Sequence, residues 1–121
     1  MKNNHQTQYI TTTLPYVNSD PHIGFAMEII RADVTARFHA LMGKNVFFNT
    51  GTDEHGLKIF QKAQEQGVDT QTYVDGYALK FKGLIKLLNI SSDIHFVRTT
   101  DEAHIKAAQE FWRRCDDNGF I

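Results

Sequence analysis

The fold is decided by the stretch Leu14-Pro15-Tyr16-Val17-Asn18-Ser19-Asp20-Pro21-His22-Ile23-Gly24-Phe25. A strand rich in threonine and apolar residues, predicted at Tyr9–Thr13, leads into this polar loop, and a long amphipathic helix begins near its His22-x-Gly24 end. The first N–H groups of a helix have no partner within the helix, and together with the helix dipole they attract phosphate. Glycine lets a ligand approach the backbone, and histidine adds a side-chain N–H donor. The stretch therefore predicts a loop suited to a nucleoside triphosphate.

Strand and helix patterns alternate along the rest of the chain. The predicted elements are strands at 9–13, 45–50 and 95–98 and helices at 23–41, 57–66, 70–88 and from the capping box Thr99-x-x-Glu102 onward. Apolar residues recur at helical spacing in three of these helices. In the first helix they are Ile23, Met27, Ile30, Val34, Phe38 and Leu41. In the third they are Val74, Tyr77, Phe81, Leu84 and Leu88, and in the last they are Ile105, Ala108, Trp112 and Cys115. We expect Cys115 to belong to the core. The order strand, helix, strand, helix is typical of a parallel α/β sheet with right-handed crossovers.

Only two strands are clear in the pattern, whereas a parallel sheet covered on both faces normally has more. We therefore expect the first part of a larger nucleotide-binding fold, incomplete in this chain. Residues 1–8 are expected to be disordered or flexible, and residues 9–121 to form the nucleotide-binding unit. The alternative is a small, complete α+β domain.

Composition limits the classes of protein that fit. The chain has 121 residues, 13 basic and 14 acidic, and a net charge of −1, which gives no bulk electrostatic case for nucleic-acid binding. No apolar run approaches the roughly 20 residues that span a bilayer, and no secretory signal is visible, so we expect no membrane association and a cytoplasmic location. The single cysteine excludes an internal disulfide and a multi-cysteine zinc site within this chain.

Two polar loops carry the candidate chemistry. Ligands of open α/β sheets bind beyond the carboxyl ends of the strands, where both His22 and the pair Asp53 and His55 are expected. A carboxylate at Asp53 suits an ammonium group or a ribose hydroxyl. In each loop the alternative is structural: a histidine that caps a helix, or polar residues that form a turn, as Asn18 and Asp20 also could.

Other polar residues have simpler interpretations. Tyr16 offers an aromatic wall with a hydroxyl, suited to a small apolar ligand with a polar end, or ordinary loop packing. Glu28 lies in the second turn of the first helix and could reach a ligand at its start. Arg37 follows Asp33 by four residues, which predicts an exposed ion pair.

Several segments, in one order, resemble a known family. Residues 13–18 and 21–24 (TLPYVN and PHIG) resemble the first signature of the class I aminoacyl-tRNA synthetases in the form found in methionyl-tRNA synthetases. The helix residues 32–38, the loop FNTGTDEHG at 48–56 and the segment FVRTTD at 96–101 resemble the segments that follow in that family. The resemblance covers nearly the whole chain from Tyr9 and implies a Rossmann-like nucleotide-binding domain that ends near the start of an inserted domain.

The resemblance implies an ATP-dependent ligase that activates methionine to methionyl-adenylate and transfers it to tRNA(Met). It makes His22, with the helix start, the catalytic contact to the ATP phosphates, lets Gly24 admit the adenine, and makes Asp53 the partner of the methionine ammonium group. The implied ATP-binding residues are Pro15, Asn18, Asp20, Pro21, His22, Ile23, Gly24, Phe25 and Glu28, and the implied methionine-binding residues are Leu14, Tyr16, Asp53 and His55. ATP is expected with Mg²⁺, and no zinc or other metal site is expected within this chain.

Two departures from the family pattern matter. The family's usual second histidine is replaced by Phe25, which can neither donate a hydrogen bond nor carry charge, and loss of one transition-state donor can cost on the order of 10²–10³ in rate. The lysine-rich second signature and the elements that bind most of the tRNA are expected beyond Ile121, so we expect the isolated chain to be inactive and its open sheet edge to be able to self-associate. The alternatives are a non-catalytic nucleotide-binding module or truncated paralogue, and a class I synthetase for another hydrophobic amino acid.

Overall fold

The computed structural model describes residues 7–121, which form three strands and four helices. In chain order these are β1 (Thr7–Thr11), α1 (Ile23–Leu41), β2 (Asn45–Thr52), α2 (Leu57–Glu65), α3 (Thr70–Leu87), β3 (Ile94–Arg98) and α4 (Glu102–Asp117). The predicted order of elements is confirmed. Of the segment expected to be flexible, positions 1–6 lie outside the described residues, whereas Thr7 and Gln8 belong to β1.

β1 begins and ends two residues earlier than the sequence pattern predicts. The reason lies at Thr13, whose backbone N–H and side-chain hydroxyl both donate to the carboxylate of Glu28 on α1, at 2.7 Å each. Thr13 is thereby turned toward the helix and cannot continue the ladder with β2. The polar loop consequently starts two residues sooner than expected.

The strands form one parallel sheet in the order β1-β2-β3, with Tyr9 opposite Phe47 and Thr50 opposite Phe96. This confirms the predicted α/β class with parallel strands and flanking helices. The central strand passes β3 so closely at Gly51 that a Cβ there would lie 1.9 Å from the carbonyl oxygen of Val97. Only glycine fits at that point of the ladder.

The core lies between one face of the sheet and the helices α1, α2 and α3. Its buried side chains include Phe48 of β2, Phe25 and Ile29 of α1, Ile59 of α2, and Val74 and Phe81 of α3. The predicted face of α3 is confirmed, since Val74 and Phe81 are buried and Tyr77, Leu84 and Leu88 pack against them. This layer fixes the start of α1 relative to the end of β2.

The spacing of apolar residues predicted the bounds of α1 correctly but did not predict which face of α1 is buried. The buried residues of α1 are Phe25, Ile29, Asp33 and Ala36. The predicted stripe from Ile23 to Leu41 is largely exposed, with Ile23 at 86% and Leu41 at 88%. The opposite face of the sheet is also open, where the rings of Tyr9, Phe47 and His95 stack in a row.

Two expectations about the C-terminal part of the chain were wrong, the core position of Cys115 and the cap at Thr99. Among the described helices, α4 has no buried residue, and Cys115 is half-exposed instead of lying in the core. The residue that precedes the helix as its cap is Asp101 instead of Thr99. The Thr99 hydroxyl accepts a hydrogen bond from the backbone N–H of Glu54, at 2.8 Å, and so contacts the loop after β2 instead of the start of α4.

The pair Asp33 and Arg37 is not a simple exposed ion pair. Asp33 is buried and accepts from Arg37 Nε at 2.7 Å and from the backbone N–H of Ser91 at 3.0 Å. Arg37 also donates through Nη2 to the carbonyl of Asn89, at 2.9 Å. The pair ties α1 to the turn between α3 and β3, so its role is to connect distant parts of the chain.

Candidate functional site

The two predicted loops meet beyond the carboxyl ends of β1 and β2. The backbone N–H of Asp53 donates to the carbonyl of Pro15 at 2.9 Å, and the N–H of Val17 donates to the carbonyl of Asp53 at 3.3 Å. Tyr16 and Asp53 thus form a parallel bridge that extends the pairing of the two strands. The loops are held side by side by backbone bonds, so this contact does not occupy the side chains of Tyr16 and Asp53.

His22 has a definite orientation at the start of α1. Its extended backbone makes it the N-cap, and its Nδ1 accepts from the backbone N–H of Gly24 at 3.1 Å. Because Nδ1 accepts, the proton of the neutral ring is on Nε2, which is then a donor. A Cβ at position 24 would lie 2.8 Å from His22 Cε1, so glycine is what allows the ring to fold over the helix start.

Phe25, at the position of the family's second histidine, is part of the core. It is 4% exposed, and its ring meets the ring of Phe81 edge to face at a centroid distance of 5.2 Å. The side chain is therefore anchored between α1 and α3. Its apolar character follows from that packing.

A cavity of about 190 Å³ adjoins the start of α1, and we call it the His22 cavity. Its lining comprises Pro15, Tyr16, Asn18, Ser19, Asp20, His22, Phe25 and Phe81. Five of the residues predicted to bind ATP are thus brought together, namely Pro15, Asn18, Asp20, His22 and Phe25. Pro21, Ile23, Gly24 and Glu28 do not line it, and Glu28 instead supports the loop through Thr13.

A second cavity of about 410 Å³ lies beside it, and we call it the His55 cavity. It is lined by Tyr16, Asn18, His55, Gly56, Leu57, Lys58 and Ile59. Tyr16 and Asn18 line both cavities, so the two spaces are neighbours along one loop. Of the residues predicted to bind methionine, Tyr16 and His55 line this cavity, while Leu14 and Asp53 lie outside its lining.

Asp20, which lines the His22 cavity, forms an ion pair that the sequence did not indicate. Its carboxylate lies 2.5 Å from Nζ of Lys80 on α3, sixty positions away, and this hydrogen bond raises the pKa of Lys80. The ammonium group also lies 4.4 Å from the ring centre of Tyr77. Lys80 thus places a cation next to the predicted phosphate loop.

Sequence reasoning also missed Glu54, which lies between the predicted residues Asp53 and His55. Its side chain is completely buried and accepts two bonds from Arg98, one from Thr52 and one from Thr100. Burial raises the pKa of Glu54, but the hydrogen bonds from Arg98, Thr100 and Thr52 outweigh it and hold the pKa below its usual value. The carboxylate is therefore charged and fully paired beneath the loop.

A further cavity, of about 270 Å³, lies at the opposite end of the sheet. Arg37, Lys44 and Asp93 are among its lining residues, next to the first residues of β2 and β3. Ligands of open α/β sheets bind at the carboxyl ends of the strands, so we do not assign the site there. Within residues 7–121, no cluster of three or more His, Cys, Asp or Glu side chains is arranged to hold a metal ion, and no helix has the length and apolar character that a membrane crossing needs.

The fold and the two loops together define a parallel α/β unit with a candidate ligand site at the carboxyl ends of its strands, and comparison with known proteins identifies the family. The family described as tRNA synthetases class I (M) matches residues 8–121. The methionine–tRNA ligase of Thermotoga maritima is 54% identical over 113 residues, covering 93% of this chain and 18% of the relative. That of Rickettsia prowazekii is 47% identical over 121 residues, covering the whole chain and 23% of the relative. The chain belongs to the class I tRNA synthetases of the methionyl type.

A solved structure agrees with this assignment. Mycobacterium tuberculosis methionyl-tRNA synthetase in complex with methionyl-adenylate superposes with a TM-score of 0.90 and 44% identity, over 94% of this chain and 22% of that chain. The Rossmann-like parallel fold inferred from the resemblance is thereby confirmed. This chain spans about a fifth of the length of the curated relatives that it matches.

Proposed function

We propose that this chain provides the methionine- and ATP-binding loops of a methionine–tRNA ligase. The observation that carries the proposal is the pair of adjoining cavities, which share Tyr16 and Asn18 at the carboxyl ends of β1 and β2. A methionyl-adenylate has two parts, and two neighbouring spaces on one rim suit it. The similar structure from Mycobacterium tuberculosis, described in complex with methionyl-adenylate, supports this choice of ligand.

The nucleotide is assigned to the His22 cavity. The N–H groups at the start of α1 other than that of Gly24, which His22 caps, and the Nε2–H of His22 are donors for phosphate oxygens, and the helix dipole adds positive potential there. Lys80 contributes a nearby cation, although Asp20 balances its charge. Pro15, Asn18 and Phe25 shape the walls, while Pro21, Ile23 and Gly24 define the turn into the helix.

Methionine is assigned to the His55 cavity. Tyr16 and Leu57 supply apolar surface for the thioether side chain. Asp53 does not line the cavity but forms the bridge with Tyr16 beside it, and we assign its carboxylate to the ammonium group. Among the described residues, the Asp53 carboxylate accepts a single long bond, from the backbone N–H of His55 at 3.4 Å. It is therefore available to a ligand, and Leu14 supports the loop from the strand side.

In the proposed reaction a carboxylate oxygen of methionine attacks the α-phosphorus of ATP. The new oxygen–phosphorus bond forms as the bond to pyrophosphate breaks, and negative charge develops on the phosphate oxygens. The residues of this chain hold the two reactants in line and place the donors of His22 and α1 near that charge. The reaction does not require an ionisable group at position 25 if these donors suffice.

The remaining partners follow from the same assignment. Mg²⁺ is expected to arrive with the ATP phosphates, because the described residues offer no cluster of their own to hold it. The tRNA is expected to bind chiefly to parts of the protein outside this chain, in the cytoplasm. Self-association through the edge of β1 is also proposed, since β1 pairs on one side only within residues 7–121. Sedimentation at increasing protein concentration tests it.

A non-catalytic nucleotide-binding module is the alternative function. The experiment that separates the two is exchange of labelled pyrophosphate into ATP by the protein that carries these residues, with methionine, leucine and valine compared. Methionine-dependent exchange at least 100-fold above the other two supports the proposal. ATP binding without any amino-acid-dependent exchange supports the alternative. The 121-residue chain by itself is expected to show no exchange.

A further inference from the structure

Glu54 is buried beneath the loop to which methionine binding is assigned, and none of its bonds is to a ligand-accessible group. Both carboxylate oxygens are occupied: Oε1 accepts from Thr52 and from Arg98 Nε at 2.7 Å each, and Oε2 accepts from Arg98 Nη2 at 2.8 Å and from Thr100. With its oxygens satisfied and its side chain out of solvent, Glu54 cannot act on a substrate directly. Its effect must pass through its neighbours.

The residues on either side of Glu54 in the chain, Asp53 and His55, are the two that are proposed to contact methionine. The N–H of Glu54 donates to the hydroxyl of Thr99, and the His55 ring contacts the Thr99 carbonyl through Nε2 at 3.2 Å. Asp53, on the other side, is held by its backbone bonds to Pro15 and Val17. Because Glu54 lies between Asp53 and His55 in the chain, a displacement of Glu54 would move the backbone of both residues.

Arg98 connects this arrangement to a third element. Besides Glu54, its guanidinium reaches Asp75 of α3 at 2.5 Å, and its side chain is 18% exposed. A planar guanidinium that makes parallel bonds to a carboxylate fixes orientation as well as distance, which a lysine cannot do. The end of β2, the end of β3 and α3 are thus joined beneath a single loop.

We propose that Glu54 and Arg98 are positioning residues that hold Asp53 and His55 in the geometry that binds methionine. The proposal rests on the assigned function of the loop. Buried ion pairs give little stability compared with apolar packing, and their better-supported use is to specify one conformation. A binding site requires such support, because its affinity for the ligand falls when the residues that contact the ligand are displaced by about 1 Å.

The test is steady-state pyrophosphate exchange by the protein that carries this chain, with Glu54→Gln and Arg98→Lys compared with the native protein. We expect the KM for methionine to rise at least tenfold in both variants while the KM for ATP stays within twofold. Glu110→Gln is the matched control, because Glu110 is a surface carboxylate in the second half of α4 whose ion pairs, with Arg113 and Arg114, lie within that helix. Its KM values should equal those of the native protein.

A methionine KM within twofold of the native value, or equal rises for both substrates, overturns the proposal. Thr52→Val removes a single bond to Glu54 and serves if Glu54→Gln does not fold; a methionine-selective rise of about threefold is then expected, and no rise overturns the proposal.

Exchange of backbone amide hydrogens tests the positioning role of Glu54 independently of the function assigned to the loop. If the native protein shows no methionine-dependent exchange of pyrophosphate, the assignment of function fails. The positioning role is then judged by mass spectrometry of the peptide covering residues 52–57. Amide exchange at least fivefold faster in Glu54→Gln than in the native protein supports it, and unchanged exchange overturns it.

Discussion

Phe25 and Phe81 meet edge to face, with their ring centres 5.2 Å apart, in the core between α1 and α3. This contact gives an apolar residue a packing role at the position where the resemblance implies a second histidine. It also gives a first prediction. Phe25→His should lower the free energy of unfolding by about 2 kcal/mol, because an imidazole there is buried without a partner and the aromatic pair is lost.

Urea denaturation measures that loss, and Phe25→Leu is its control because it removes the ring but stays apolar. We expect Phe25→Leu to be less destabilising than Phe25→His. Pyrophosphate exchange should not increase in Phe25→His. An increase in exchange with unchanged stability would show that position 25 reaches the nucleotide and that the missing histidine limits the rate.

Gly51→Ala tests the close approach of β2 to β3. A Cβ 1.9 Å from the carbonyl oxygen of Val97 forces the strands apart at the end of the sheet that holds the loops. We expect a loss of about 3 kcal/mol or more in the free energy of unfolding. Gly76→Ala is the control, since a Cβ on that helical glycine meets no atom within 4 Å. Equal stability of the two variants would contradict the described register.

Asp33→Ala tests the connection between α1 and the turn before β3. It leaves the backbone N–H of Ser91 and the guanidinium of Arg37 without their acceptor, so the free energy of unfolding should fall by about 3 kcal/mol. Glu110→Ala breaks a surface network on α4 and should leave the thermal midpoint unchanged. A small effect of Asp33→Ala would mean that the pair is no more than a surface contact.

The stability of the protein should fall in acid partly through Glu54. Its pKa is held below the usual value of 4.5 when the protein is folded, so the unfolded chain binds a proton more readily. The stabilisation is complete above about pH 4.5 and is lost as the pH falls through the lower, folded pKa. Below pH 4.5 the free energy of unfolding of Glu54→Gln should therefore decline less steeply than that of the native protein.

Asp75 accepts a bond from the same Arg98 guanidinium, and this bond lowers the pKa of Asp75 as well. Asp75 is present in both the native protein and Glu54→Gln, so the difference between their two acid curves reports on Glu54. Parallel acid curves would contradict the ion pair with Arg98.

The sequence located the helices and strands because periodicity and glycine stops are local signals. It did not identify which face of α1 is buried. The buried positions Phe25, Ile29, Asp33 and Ala36 follow helical spacing too, but Asp33 is charged and the backbone N–H that it accepts from, that of Ser91, is 58 positions along the chain. Periodicity cannot reveal a polar residue that is buried because a distant backbone group needs it.

In the candidate site, too, residues with a local sequence signal were predicted and residues whose partners are distant in the chain were missed. The loops at 14–22 and 53–55 were found from their position after predicted strands and from the resemblance, and Tyr16, Asn18, His22 and His55 do line adjoining cavities. Glu54 and Lys80 were missed because Arg98 and Asp20, their ionic partners, are 44 and 60 positions away. The sequence signal for Glu54 was its place inside the loop GTDEHG, but nothing local distinguished a buried support from a turn residue.

The central claim is that methionine and ATP bind where the loops of β1 and β2 meet. Hydrogen exchange of the protein that carries this chain, with and without a non-hydrolysable methionyl-adenylate analogue, tests it most directly. We predict strong protection in peptides covering residues 14–24 and 53–59, and none at residues 44–46 and 91–93 around the cavity at the other end of the sheet. Protection of that opposite end, with the two loops unchanged, would contradict the account.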